Sequence, residues 1–152
     1  NWIKTLNKGL ATDATSAERL ILEITESSAM VMPDLVSVFM QDLQRRGVSF
    51  ALDDFGAGYT SFRYLREFYF DMIKIDGQFI RGIAESADNQ VLTQALLSIA
   101  RHFDMYTVAE CVENAADAAF LQGLGVDCMQ GYYFGAPTIL PPWEKSEAQR
   151  RA

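Results

Sequence analysis

The sequence predicts an α/β fold of the TIM-barrel type, present here as a partial (β/α) barrel of about five parallel strands with flanking helices. Five short apolar runs have strand-like composition, and helix-like stretches alternate with them along the chain. Each run carries a polar or charged residue near its carboxyl end. Strands that alternate with helices pair in parallel, and the carboxyl ends of parallel barrel strands share one face. The polar residues are therefore expected at one face of the barrel.

The predicted elements follow one another in a regular order. Residues 1–10 are expected to form a helix, and the strands are expected in RLILEITE, VSFALDDFG, FDMIKID, YTVAECVE and VDCMQGYYF. A helix is predicted in MPDLVSVFMQDLQRRG, because apolar residues recur there at helical spacing before a terminating glycine (Leu35, Val38, Phe39, Leu43 and Gly47). Further amphipathic helices are expected from Asn89 to Phe103 and from Asn114 to Leu124.

Five strands are too few to close an eight-stranded barrel. We therefore expect the chain to enter the barrel after its third strand. Residues 1–140 would form the carboxyl-terminal part of the domain, and residues 141–152 a polar tail or a short terminal helix. The strands containing Glu23 and Gln130 should be edge strands, with Ile24 and Met129 facing the barrel interior. We expect another copy of the chain, the missing strands or swapped elements to cover these edges.

Composition and charge argue against several classes of protein. The net charge of -7 does not suit a broad basic face for duplex nucleic acid. The chain has no long apolar run and no basic-then-apolar start, so we expect a cytoplasmic segment without membrane contact. Cys111 and Cys128 lie far apart and outside any zinc spacing, which favours reduced structural thiols. His102, the only histidine, is expected to be an ordinary helix-terminus residue.

The candidate functional residues recur at intervals of one strand–crossover–strand unit. They are Glu23, Asp53, Lys74, Glu110 and Gln130, which are separated by 30, 21, 36 and 20 residues. Each is expected near the carboxyl end of a different strand. Side chains in these positions converge in barrels of this type.

Four acidic residues indicate a metal site. Asp53 and Asp54 are adjacent before the glycine-rich segment FGAGYTSF, where the strand must end and a turn could bring both carboxylates together. The alternative is that the pair caps the next helix. Glu23 and Glu110 stand in otherwise apolar strands, where unpaired burial would be costly. Together the four carboxylates form a hard oxygen-ligand set, which suits Mg²⁺ or Mn²⁺ better than zinc.

The direction of Lys74 depends on the strand register, which the sequence leaves open. If the side chain points outward, it is an ordinary solvated strand-end lysine. If it points inward, it would neutralise carboxylates or orient a water molecule, and desolvation could lower its pKa.

Five motifs, in this order, resemble those of the EAL phosphodiesterases. They are LEITE, DDFGAGYTS, KID, AECVE and QGYYFGAP, and they cover nearly all of the chain from Leu20 to Pro137. The resemblance implies a bacterial signalling enzyme with two metal ions that hydrolyses cyclic di-GMP to the linear dinucleotide pGpG. Two residues of the family's site, the glutamate of the EAL signature and an asparagine on an early strand, would precede Asn1.

The resemblance also implies roles for individual residues. Glu23 and Asp53 would bind the first metal ion, and Asp53, Asp54 and Glu110 the second. Lys74 would hold or orient the attacking water. Glu110 has also been considered a general base in this family, and its exact role stays open.

Further residues would support the site without binding the metal ions. By the same resemblance, Gln130 would lie beside the site, Glu26 would steady the glycine-rich loop and Glu113 would stand behind the metal ligands. Cys111 replaces a small residue in AECVE and should face away from Glu110. The loop and helix after Asp54 resemble the family's dimer contact.

Three interpretations remain open. The chain may derive from a catalytic domain and be inactive as a fragment, which is the interpretation that the intact acidic residues favour. It may instead be a non-catalytic receptor for cyclic di-GMP. The third interpretation is a protein-interaction module that uses the segment from Gly58 to Leu65.

Overall fold

The computed structural model describes residues 2–58, 65 and 67–139, and its centre is a sheet of five parallel strands. The strands stand side by side in chain order as β1 (Ile21–Thr25), β2 (Ser49–Phe55), β3 (Met72–Ile75), β4 (Tyr106–Ala109) and β5 (Cys128–Met129). Each of them lies within one of the five predicted runs. Within the described residues, β1 and β5 are the outermost strands of the sheet. The predicted α/β class with five parallel strands is confirmed.

Helices precede the sheet and connect its strands. The α-helix Trp2–Thr12 and the 3-10 helix Ala14–Arg19 come before β1, and the remaining helices are Glu26–Val31, Pro33–Gln44, Gly77–Ile80, Ala87–His102 and Ala115–Leu124. Among the described helices, none has the length and apolarity needed to cross a bilayer. The helix expected after Asp54 falls mainly on residues 59–64 and 66, and the expected tail on residues 141–152; both lie outside the described residues.

Short polar residues set where the connecting helices begin. The side chains of Thr25, Asp76, Ser86 and Asn114 each accept a hydrogen bond from a backbone N–H in the first turn of the following helix. Such caps satisfy N–H groups that have no partner within the helix. The last helix ends at Gly125, which has a left-handed φ of 74°. The chain can therefore turn sharply from strand to helix and back again.

The helix Pro33–Gln44 packs with a different stripe from the one its spacing suggested. Leu35 and Val38 are exposed, at 59% and 66%. The residues that pack into the core recur at i, i+3, i+4 and i+7 and are Val36, Phe39, Met40 and Leu43. The expectation for Leu35 and Val38 is wrong because this helix has apolar residues on two faces, and only packing decides between them.

Alternation along the strands separates a helix-covered face from an inner face. Phe50, Leu52 and Ile73 are fully buried in the cluster beneath the helices. Ile24 and Met129 also pack on the helix side, so the expectation that they face the barrel interior is wrong. Each is one residue away from a position on the inner face, and neighbouring strand residues point to opposite sides.

Two aspartates hold neighbouring strands together at the amino end of the sheet. Asp71 precedes β3, and its Oδ2 accepts a hydrogen bond from the Phe50 N–H of β2 at 2.8 Å. Asp127 precedes β5, and its Oδ2 accepts bonds from the N–H of Thr107 at 2.8 Å and from its hydroxyl at 2.6 Å. The bonds from Thr107 lower the pKa of the Asp127 carboxyl below its ordinary value. These contacts stabilise the observed strand register.

We expect Asp127→Asn to lower the free energy of unfolding by about 1 kcal/mol at neutral pH, because bonds to a charged acceptor are the stronger ones. The folded pKa of Asp127 is depressed. Its contribution is therefore present above the unfolded value of about 4 and is lost as the pH falls through the folded pKa. Urea unfolding between neutral and acidic pH measures this, with the exposed Asp104→Asn as control. A deficit that persisted unchanged at about pH 2 would contradict the prediction.

Gly131 lies where the segment after β5 passes directly over the backbone of Val112. A Cβ at Gly131 would come within 2.2 Å of the Val112 carbonyl oxygen and 2.3 Å of its nitrogen. Two hydrogen bonds hold the segments together: the Val112 N–H donates to the Gln130 carbonyl and the Tyr133 N–H donates to the Val112 carbonyl, both at 3.0 Å. This close backbone contact requires a glycine.

Gly131→Ala should therefore destabilise the fold by about 2 to 3 kcal/mol, because the backbone must move to admit the methyl group. Gly123→Ala is the matched control, since a Cβ at this helical position meets nothing within 4 Å. The control should be neutral or stabilising by up to about 1 kcal/mol. Urea unfolding compares the two variants, and equal stabilities would refute the required contact.

Candidate metal and catalytic site

Lys74 lies at the centre of an acidic cluster at the carboxyl ends of the strands. Its Nζ is 2.7 Å from Asp53 Oδ1, 2.8 Å from Glu110 Oε1 and 3.2 Å from Glu23 Oε2. The lysine side chain is only 8% exposed. Of the two directions that the sequence left open, the structure therefore has the inward one.

The strand register places these side chains on one face. Lys74 of β3 pairs with Val108 of β4, and Val108 pairs with Cys128 of β5. Glu110 and Gln130 each follow their paired residue by two positions, so both project to the same side as Lys74. The backbone N–H of Gln130 bonds the carbonyl of Ala109, and its side chain is exposed. Gln130 is thus on the site face beside Glu110.

A bulge in β2 brings two adjacent carboxylates together. From Leu52 to Phe55 the strand advances three residues while β3 advances two, so Asp53 and Asp54 both stand opposite Lys74. Asp54 has a φ of 57°, in the left-handed region where aspartate is one of the few tolerated side chains. The turn lets both carboxylates of the pair project into the site.

Three of the acids are close enough to share a cation. One carboxylate oxygen each of Asp53, Asp54 and Glu110 lies within 4.8 Å of the others. Burial raises the pKa of Glu110 and of Asp54 above their ordinary values, and the charge of Asp53 adds to both shifts. Glu23 reaches Lys74 from β1 but lies outside this trio and is half exposed. The trio presents the hard oxygen atoms that Mg²⁺, Mn²⁺ and Ca²⁺ prefer.

The expectation that desolvation could lower the pKa of Lys74 is wrong. Burial alone acts in that direction, but the hydrogen bonds to Asp53, Glu110 and Glu23 outweigh it, and the pKa rises above the ordinary lysine value. Lys74 is therefore a permanent cation within the acidic cluster.

Glu26 connects the start of the helix Glu26–Val31 to the glycine-rich segment after Asp54. The side chain is buried, and its Oε2 accepts a hydrogen bond from the Gly56 N–H at 3.1 Å. A Cβ at Gly58 would lie 3.5 Å from the same carboxylate. The contact is of the kind that the predicted role of Glu26 requires.

Glu113 contacts a residue that the sequence analysis missed. Its Oε1 accepts a hydrogen bond from Arg81 Nε at 3.2 Å, and Arg81 Nη2 donates to Cys111 Sγ at 3.0 Å. Cys111 thus has a partner different from that of Glu110, and its φ of 56° explains why a small residue suits this position. No sequence pattern marks Arg81, because it follows the KID motif by several residues and meets Glu113 only in the fold.

We expect Lys74→Met to lower the free energy of unfolding by about 3 kcal/mol, because three crowded carboxylates lose their shared cation. Urea unfolding in a buffer containing EDTA measures the effect without a divalent ion that could replace the lysine. Lys8→Met, at an exposed helix position, is the matched control and should change stability by less than about 0.5 kcal/mol. Equal stability of the two variants would show that the acids do not depend on Lys74.

Comparison with known proteins identifies relatives over most of the chain. The family model described as "EAL domain" matches residues 1–137. The chain is 39% identical over 131 residues to the cyclic di-GMP phosphodiesterase PdeF of Escherichia coli (strain K12), covering 86% of the chain and 18% of that protein. It is also 39% identical over 118 residues to the cyclic di-GMP phosphodiesterase PdeB of Shewanella oneidensis, covering 78% and 14%. The chain thus spans less than a fifth of these relatives.

Solved structures share the fold. The PaMucR phosphodiesterase in complex with c-di-GMP superposes with a TM-score of 0.84 at 34% identity, covering 94% of this chain and 57% of that one. A manganese and cyclic di-GMP complex of Klebsiella pneumoniae BlrP1 gives a TM-score of 0.75 at 30% identity, covering 80% and 31%. The five parallel strands and their helices correspond to part of each of these larger chains.

Proposed function

The chain belongs to the EAL domain family, and on that premise we propose that it forms part of a metal-dependent phosphodiesterase that hydrolyses cyclic di-GMP to linear pGpG. The observation that carries the proposal is the convergence of Asp53, Asp54 and Glu110 beside the buried Lys74. A pure binding scaffold has no evident need for so many crowded acids. The relatives named as cyclic di-GMP phosphodiesterases, and the solved complexes with that nucleotide, support the same substrate.

The donor set fits divalent cations. Asp53, Asp54 and Glu110 would hold one ion, and Glu23 would join Asp53 in holding a second, with Mg²⁺ or Mn²⁺ as the proposed metals. When bound, two such ions lower the pKa of a water molecule and stabilise charge on the reacting phosphate. The manganese complex of the Klebsiella pneumoniae relative supports this choice of cation.

The protein's own residues organise the reaction. Lys74 donates hydrogen bonds to Asp53 and Glu110 and so holds both carboxylates in place. Its charge would also orient a water molecule toward the phosphate. Glu110, whose pKa is raised, could accept a proton from that water. The water oxygen bonds to phosphorus, one phosphodiester P–O bond breaks, the leaving ribose oxygen takes a proton, and the product is the linear dinucleotide.

We further propose the arrangement of the whole protein by analogy with the family. Residues 1–140 would belong to the phosphodiesterase domain and residues 141–152 to a tail, in a cytoplasmic protein. The loop and helix after Asp54 would form a homodimer contact, in a segment whose residues 59–64 and 66 lie outside the described part of the chain. Glu26 supports this loop through Gly56. Gln130 would contact the substrate from the β5 side.

Asp53→Asn should reduce turnover by at least about 100-fold while leaving the melting temperature nearly unchanged, because asparagine keeps the shape but removes the shared charge. The test uses the full-length gene product with Mn²⁺ or Mg²⁺ and follows pGpG by chromatography. Asp88→Asn, at an exposed position in the helix Ala87–His102, is the matched control and should keep full activity. Addition of EDTA should abolish turnover by the unmodified protein.

Two results would count against catalysis. Binding of cyclic di-GMP by the unmodified protein without formation of pGpG would support the receptor interpretation. Neither binding nor product would support the protein-interaction interpretation and overturn the proposed substrate.

A further inference from the structure

Arg81 is in a position to meet a substrate bound at the acidic cluster. It is the one basic residue in the described segments that leave the carboxyl ends of the five strands, namely 26–31, 56–58, 76–86, 110–114 and 130–139. Its side chain is 55% exposed. Lys74, the other cation at this end, is already engaged with three carboxylates.

The contacts of Arg81 use one side of its guanidinium and leave the end available. Nε donates to Glu113 and Nη2 to Cys111 Sγ, which are the two donors on the side of the group. The outer hydrogens of Nη1 and Nη2 form a second fork at the end of the group. A Cβ at Gly77 would approach Nη1 to 3.2 Å and Cys111 Sγ to 2.6 Å, so the glycine keeps room for this arrangement.

Arg81 belongs to the same face as the acidic cluster. Cys111, which it contacts, directly follows Glu110, and Glu110 bonds Lys74. The charge of Asp76 influences both Asp54 and Arg81, which places this aspartate between the two groups. A dinucleotide with one phosphate at the acids would extend over the neighbouring surface that includes Arg81.

The charges around Arg81 favour a neutral acceptor over a phosphate. Glu113 and Asp76 stand beside the guanidinium, so a phosphate would meet two nearby negative charges. The O6 and N7 atoms of guanine are two adjacent acceptors that match an arginine fork without adding charge. Adenine has an amino donor in place of O6, which would oppose the fork.

We infer that Arg81 binds the O6 and N7 edge of a guanine base of the substrate, an assignment that rests on the proposed function. Glu113 is then a positioning residue, because it orients the fork through Nε. This contact would help to select cyclic di-GMP against cyclic di-AMP.

The test compares KM for cyclic di-GMP with the inhibition constant of cyclic di-AMP in the full-length gene product with Mn²⁺. Arg81→Ala should raise KM for cyclic di-GMP by about 10- to 100-fold, with little change in kcat and in the inhibition constant of cyclic di-AMP. Arg81→Lys should behave like the alanine variant, because it keeps the charge but loses the fork. Arg101→Ala, an exposed arginine near the amino end of β4 whose guanidinium bonds backbone carbonyls, is the matched control.

Glu113→Gln should raise KM less than Arg81→Ala does, because the amide oxygen can still accept the Nε–H hydrogen bond. An unchanged preference for cyclic di-GMP in Arg81→Ala, with the unmodified protein active, would overturn the inference and leave the proposed function intact. Equal weakening of both nucleotides, or full affinity in Arg81→Lys, would indicate a phosphate contact and also overturn it. Absence of turnover by the unmodified protein would overturn the proposed function and the inference together.

Discussion

The arrangement of the site depends on the ammonium group of Lys74. A buried charge is costly unless it is paired, and here carboxylates from β1 and β2 and from the residue after β4 supply the pairing. Acids this close together repel one another, so each of them also needs the lysine. A one-residue slip of β3 would move Lys74 to the helix side and expose Ile73 and Ile75, which are fully buried there. The ion cluster and the apolar core therefore require the same register.

The bulge of β2 connects this register to the chemistry. A regular strand would direct Asp53 and Asp54 to opposite faces. One additional residue, with Asp54 in the left-handed region, brings the two carboxylates to the same side. The bond from Gly56 to Glu26 holds the segment that follows. The fold thus accepts a strained backbone position where it obtains a cluster of acids.

A second group of contacts lies next to the acids and has a different character. The acidic cluster suits cations and reacting phosphate, whereas the Arg81 fork, balanced by Glu113, suits a neutral polar edge. The segments after β3 and β4 meet here, so one part of the surface can serve reaction and the adjacent part selection. This division of labour follows from charge: a free arginine would bind phosphate, and its pairing with glutamate reduces that attraction.

The sequence by itself determined the strand order and the positions of the acids, because alternating apolar runs and the intervals from Glu23 to Gln130 report the repeating strand and helix units. Its motifs were also sufficient to indicate the family. Only the tertiary structure decided the direction of Lys74, since a strand residue can face either side until its neighbours pair. The buried stripe of the helix Pro33–Gln44 was likewise set by packing, because apolar residues occupy two of its faces. The contact of Arg81 with Glu113 joins residues 32 positions apart, and no local pattern encodes it.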